Sequence, residues 1–190
     1  MLLAPMRAIR IGITGKLGSG KSTLAKMMEV RGTVAVRSDG LARELMERDP
    51  ALRAKLTQIL GQQAFAQDTL DRKFVASRIF SDRTVRKQVE AVIHPGVTAE
   101  LERSFEAHPN EMVAVESALI LQTCFRERFD YIILIESPDE EAIARVTQEG
   151  RMSKADAEVR LAVQVEDRLS SKREGGKTSF EAKCVLFYVI

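Results

Sequence analysis

The chain has 190 residues, 45% of them apolar and 29% charged, which is enough to bury one core with insertions and excludes a disordered chain. Its 29 Lys and Arg against 27 Asp and Glu leave a net charge of +2 with no basic block, so a dedicated nucleic-acid surface is excluded and a small partner is expected. The two cysteines, Cys124 and Cys184, have neither metal nor redox spacing, which excludes a disulfide-built fold and fits a reducing compartment.

The opening MLLAPMR is shorter than a signal peptide, and no apolar run is long enough to span a bilayer, so a cytoplasmic protein with no membrane partner is expected. Residues 8–14, AIRIGIT, are rich in β-branched residues and read as a buried strand running into Gly15. A helix is expected from Lys21 to about Arg31, and a short strand at 33–37, TVAVR. From there to about residue 108 the pattern is helical with no strand, broken at Asp49 with Pro50, at Gly61, at Ser81 with Asp82 as a cap, and at His94 with Pro95, where proline is expected to close a helix. EMVAVES at 111–117 and YIILIES at 131–137 are continuous apolar runs, as fully buried parallel strands are. In the following SPDEEAIARV, Ser137 is expected to cap a helix, with Pro138 at its first position and three acids at its positive end. Ser153 with Asp156 forms a capping-box pattern ahead of a helix to about Lys172, and CVLFYVI, 184–190, reads as a last strand. Strands alternating with helices imply a parallel sheet covered on both faces, with the ligand at the carboxyl ends of its strands.

The chemistry starts in GITGKLGSGKST, residues 12–23. Gly15 to Ser22 fit G-x-x-x-x-G-K-[ST] between a strand and a helix, the context that separates a phosphate loop from a plain glycine turn. Glycines let successive N–H groups turn toward phosphate oxygens, and the new helix adds its positive end. Gly15, Gly18, Ser19, Gly20, Lys21, Ser22 and Thr23 are therefore the nucleotide-binding candidates, with Lys21 reaching the β and γ phosphates and the Ser22 hydroxyl able to bind Mg2+. No guanine-reading N-K-x-D occurs, which disfavours a regulatory GTPase. Asp39, just beyond the second strand, is either a base for a substrate hydroxyl or an acid favouring the next helix beside a Ser38 cap. Glu116 closes the run VAVE, where it either holds Mg2+, directly or through water, or is merely solvated at a strand end. His94 is either a substrate-facing group or a helix-ending residue with a satisfied ring.

Taken in order, GKLGSGKST, SDGLAR with Asp39 and Arg43, LDRKFVASRIFSD at 70–82, VEAVIHP at 89–95, VESALIL at 115–121 and RLAVQ at 160–164 resemble the dephospho-CoA kinases over nearly all of residues 9–164. The resemblance implies a phosphate-loop α/β fold and transfer of the ATP γ-phosphate to the ribose 3'-hydroxyl of dephospho-CoA, with Mg2+, to give CoA. It implies Asp39 as base, Arg43, Asp71, Arg72 and His94 with Asp39 on the substrate, Ser22 and Glu116 on the metal, and Arg145 as a cation brought over the transferring phosphate by a lid. This sequence departs from the family pattern in four places, one of them Glu116 and Ala118, where an aspartate and, two residues on, a proline are more common. Arg37 stands where a second acid is common, Glu149 where a further arginine is common, with Arg151 or Arg160 either substituting or simply solvated, and no asparagine and closing helix follow the last strand.

The expected architecture is a three-layer α/β phosphate-loop fold: a central parallel β-sheet from 1–37, 109–138 and 173–190, a helical substrate-binding insertion at 38–108, and a helical lid at 139–172. The expected function is an ATP-dependent dephospho-CoA kinase. The alternatives are a kinase for another small hydroxylated substrate such as a nucleoside, and a nucleotide-binding protein with reduced turnover.

Overall fold

Apolar, β-branched runs become the strands of the computed structural model, which describes residues 8–66, 69–118, 120, 124–174 and 183–188. In chain order its elements are β1 (Ile9–Gly15), α1 (Lys21–Glu29), β2 (Val34–Arg37), α2 (Ser38–Arg48), α3 (Pro50–Leu60), β3 (Phe65–Ala66), β4 (Thr69–Leu70), α4 (Arg72–Ser81), α5 (Arg83–Ala107), β5 (Met112–Glu116), β6 (Tyr131–Glu136), α6 (Asp139–Gln148), α7 (Lys154–Glu174) and β7 (Lys183–Tyr188). They divide into two compact units, Met1–Arg37 with Ser104–Ile190, and Ser38–Arg103.

The first unit holds a five-stranded sheet in the order β2-β5-β1-β6-β7, with every pair parallel. β1 lies at its centre, hydrogen-bonded to β5 and β6, which is why five of its seven residues are buried. Ile11, Ile13, Ala25, Ala114 and Ile135 form a core into which Leu24 and Met28 of α1 pack, so burial of this face fixes where α1 begins relative to the sheet. Near the start of the sheet, Phe105 and Phe129 meet edge to face at 6.3 Å and the Arg10 guanidinium lies over the Phe105 ring. α6 ends in a Schellman motif: Gly150 takes φ 66, its N–H donates to Thr147 O, and the Arg151 N–H donates to Val146 O. Ser153 caps α7 as its spacing predicts, with the Asp156 N–H donating to Ser153 Oγ at 3.1 Å, and the Ser153 hydroxyl itself donates to Asp156 Oδ2 at 2.7 Å.

Aspartates start three helices of the second unit, α3, α4 and α5. Asp49 accepts from the N–H groups of Ala51 and Leu52, Asp71 from Phe74, and Asp82 from Thr84 and Val85. Leu52, Leu56 and Leu60 recur every fourth residue as the buried stripe of α3.

Three local expectations are corrected. The stretch between β2 and residue 108 is not free of strands, because β3 and β4 pair as a two-residue antiparallel ladder, Phe65 with Leu70 and Ala66 with Thr69, too short to show alternation. Proline does not close a helix at 94–95, since α5 runs through Pro95 to Ala107. Val89, Ile93, Val97, Leu101 and Phe105 are all buried, so one apolar stripe continues across the proline and its burial outweighs the lost N–H bond. Ser137 does not cap α6: its hydroxyl is buried without a partner among the described residues, and Pro138 is the capping residue, its carbonyl accepting from the Ala142 N–H. No helix among the described residues is long and apolar enough to cross a membrane.

Candidate active site

The loop between β1 and α1 is shaped by what surrounds it. Gly18 has φ 70, and a Cβ there would lie 2.3 Å from the Ala142 carbonyl oxygen of α6, so only glycine fits on both counts. A Cβ at Gly15 would meet the Ile135 carbonyl oxygen of β6 at 2.2 Å. α1 begins at Lys21 behind Gly20, a left-handed residue with no side-chain cap, so no side chain at the capping position covers the first N–H groups of this helix. Such an end favours an anion.

Within the loop, the Lys21 ammonium donates to the Lys16 carbonyl at 2.7 Å, which folds its side chain back along the loop. Ser19 turns inward, with its N–H donating to Lys16 O and its side chain fully buried, so it shapes the loop rather than presenting a hydroxyl to a ligand. Ser22, on the first turn of α1, donates its hydroxyl to Glu116 Oε1 at 2.6 Å. The end of β5 thus brings a carboxylate to the phosphate loop, joining two residues 94 positions apart. Glu116 stands in register with Arg37 across the β2–β5 pair, and the Arg37 Nε lies 3.9 Å from its other oxygen. Arg37 also meets Glu29 at 3.1 Å. The residue that replaces a second acid therefore supplies a cation to Glu116.

The donor set fits Mg2+. A hydroxyl and a carboxylate give hard oxygens at one place, and Mg2+ holds few protein ligands while keeping water and phosphate oxygens for the rest of its octahedron. Among the described residues no group of three or more His, Cys, Asp or Glu could hold a metal ion.

α6 and α7 reach the same loop. Arg145 donates through Nη1 to the Gly18 carbonyl at 2.6 Å and pairs through Nη2 with Glu141 at 3.3 Å. Lys16 pairs with Asp139, and the Leu17 N–H donates to Gln164 Oε1 at 2.9 Å. The sequence reading gave Lys16, Asp139 and Gln164 no part in the site. The signal was present only for Gln164, which ends the quoted motif RLAVQ; Asp139 read as a helix-end acid. Arg151 is exposed and pairs with Glu149 at 2.6 Å, so the departing acid and the arginine weighed as its substitute neutralise each other. Arg160 is half-buried on α7.

The structure thus gathers Lys21, Ser22, Glu116 and Arg145 on the loop within the first unit. The substrate-binding candidates lie in the second unit. Asp39 and Arg43 are exposed, four residues apart, and so share one face of α2; Asp39 is in its first turn, two residues past the end of β2. Asp71 is the N-cap of α4, which accounts for one of its oxygens, and Arg72 is exposed with Glu47 3.4 Å away. His94 lies midway along α5, where burial lowers its pKa below the ordinary 6.5 and favours the neutral ring. A cavity of about 320 Å³ in this unit is lined by Leu41, Glu44, Leu45, Arg48, Asp49 and Glu100. At about 100° per residue its α2 residues face away from Asp39 and Arg43, so it is separate from the candidate site.

Sheet order, glycine loop and a Ser–carboxylate pair at the end of a neighbouring strand define a phosphate-loop nucleotide-binding fold. A family model described as CoaE, dephospho-CoA kinase, matches residues 9–174. Among curated relatives, the dephospho-CoA kinase of Bacteroides fragilis is 29% identical over 168 residues, 87% of this chain and 82% of its own. That of Geobacter sulfurreducens is 33% identical over 159 residues, 82% of this chain and 81% of its own. A crystal structure from Thermus thermophilus superposes with a TM-score of 0.76 at 27% identity, covering 97% of this chain and 90% of that one. A dephospho-CoA kinase structure from Campylobacter jejuni, at 20% identity, shares the fold with a TM-score of 0.54. The chain belongs to the dephospho-CoA kinase family, and it is a kinase.

Proposed function

We propose that this chain transfers the γ-phosphoryl group of ATP to the ribose 3'-hydroxyl of dephospho-CoA, yielding CoA and ADP, in the cytoplasm and with Mg2+. The observation that carries the reading is the pairing of Ser22 with Glu116 beneath a phosphate loop whose ordered partner motifs extend along the chain. The α1 N–H groups bind the β phosphate, and Lys21, released from the Lys16 carbonyl, spreads charge away from the moving phosphoryl group. Ser22 and Glu116 would hold Mg2+, which would supply charge neutralisation to the phosphate oxygens. Asp39 accepts the hydroxyl proton as the new phosphate ester bond forms and the bond to the β-phosphate oxygen breaks. Arg145, fixed beside Gly18, adds a cation over the loop. Arg43, Asp71, Arg72 and His94 are assigned to holding dephospho-CoA, and residues 139–172 to the lid.

The test is ADP release from ATP with dephospho-CoA, with nucleosides, and with no acceptor. Release should accelerate with dephospho-CoA alone, and CoA should accumulate in equal amount. Acceleration by a nucleoside with dephospho-CoA unmodified favours another small-molecule kinase, and equal release under all three conditions contradicts acceptor phosphorylation.

A further inference from the structure

Three consecutive residues of the phosphate loop are held from α6 and α7, each by a different chemical means. Lys16 is held through its charge by Asp139, Gly18 through its carbonyl by Arg145, and Leu17 through its N–H by Gln164 at 2.9 Å. The Gln164 contact differs from the other two. It is the grip on a backbone donor, it is partly buried, and it comes from α7, 147 residues further along the chain. Leu17 immediately precedes Gly18, the residue whose left-handed backbone packs against α6 and turns the chain toward the α1 N–H groups. A rotation at Leu17 therefore re-aims every donor that follows it. A bond to the Leu17 N–H restrains that rotation, and the half-buried carboxamide reaches it from a helix anchored by the buried Ala157 and Leu161.

We propose that Gln164 is a positioning residue for phosphoryl transfer, setting the phosphate loop for the nucleotide's β and γ phosphates by holding the Leu17 N–H. The inference rests on the reading of residues 15–22 as the triphosphate cradle, and it concerns nucleotide affinity, whichever acceptor is used. Without the bond the loop samples other conformations, and the α1 N–H groups meet the phosphates only after it is re-ordered.

Two variants remove the bond in opposite ways. Gln164→Met keeps the length and loses the acceptor; Gln164→Asn keeps the carboxamide and draws it back by one methylene. Both are measured with wild type for the dissociation constant and the number of binding sites for Mg-ADP, by calorimetry, and for their thermal midpoints without nucleotide. A lost net hydrogen bond of ordinary strength corresponds to a rise of about five- to tenfold in the dissociation constant, with one site per chain retained. A purely structural role would instead lower the fraction of binding-competent molecules and leave the dissociation constant unchanged. Wild-type affinity in either folded variant overturns the proposal; if one variant does not fold, the other decides. Wild-type protein that binds no ADP would overturn the cradle reading itself, a result distinct from equal binding by wild type and variants.

Discussion

In the proposed reaction Asp39 takes a proton and Glu116 helps hold a metal, and each assignment has its own substitution. Asp39→Asn keeps the size of the side chain and its place in the first turn of α2 but cannot take up the hydroxyl proton. It is expected to lower kcat by about 10²- to 10⁴-fold with the affinity for ATP unchanged; an unaltered kcat would remove Asp39 from the role of base. Glu116→Gln still accepts from the Ser22 hydroxyl, so the loop keeps its geometry while the charge at the metal is lost. The Mg2+ concentration for half-maximal turnover is expected to rise about tenfold or more, and an unchanged Mg2+ dependence would contradict the assignment. Arg37 sets the background for this measurement, because it already shares Glu116 through the β2–β5 register.

At the scale of elements, α5 carries the pH dependence the structure predicts. Burial of His94 disfavours the imidazolium, so the native ring titrates below 6.5 and the unfolded ring near it. Below about pH 7.5 the unfolded state then binds more proton at this residue than the native state does. The stability the neutral ring contributes is complete above its unfolded value and is lost as pH falls through the lowered native one. Denaturant midpoints measured from about pH 7.5 down to about 5.5 should therefore fall further for wild type than for His94→Gln. Parallel curves would show that His94 does not discriminate between its protonation states. The same helix marks the limit of what local signals reveal. Strands β1, β5 and β6 were legible because buried parallel strands read as continuous apolar runs, and the caps at Asp82 and Ser153 because they are chemical groups at fixed spacing. The passage of α5 through Pro95 was not, since the propensity that ends a helix there is local while the stripe from Val89 to Phe105 that continues it depends on burial. The β3–β4 ladder is too short to carry a period, and Ser137 lost its cap because its hydroxyl is buried one residue too early.

For the whole molecule, a parallel sheet with β1 at its centre concentrates the carboxyl ends of β1, β2 and β5 around one loop, where the proposed nucleotide would meet the α1 N–H groups, Lys21 and Arg145. Much of this site was legible because G-x-x-x-x-G-K-S states its own geometry in sequence. The grips on Lys16, Leu17 and Gly18 were less so, since contacts from 123 to 147 residues away leave no local periodicity. The most direct measurement is the fate of labelled phosphate when γ-labelled ATP, Mg2+ and dephospho-CoA are incubated with the protein and the products are resolved by mass and by phosphorus NMR. One label per acceptor, as a monoester on the ribose 3'-oxygen, is the predicted result. Label appearing only as inorganic phosphate, at the same rate with and without dephospho-CoA, would contradict it.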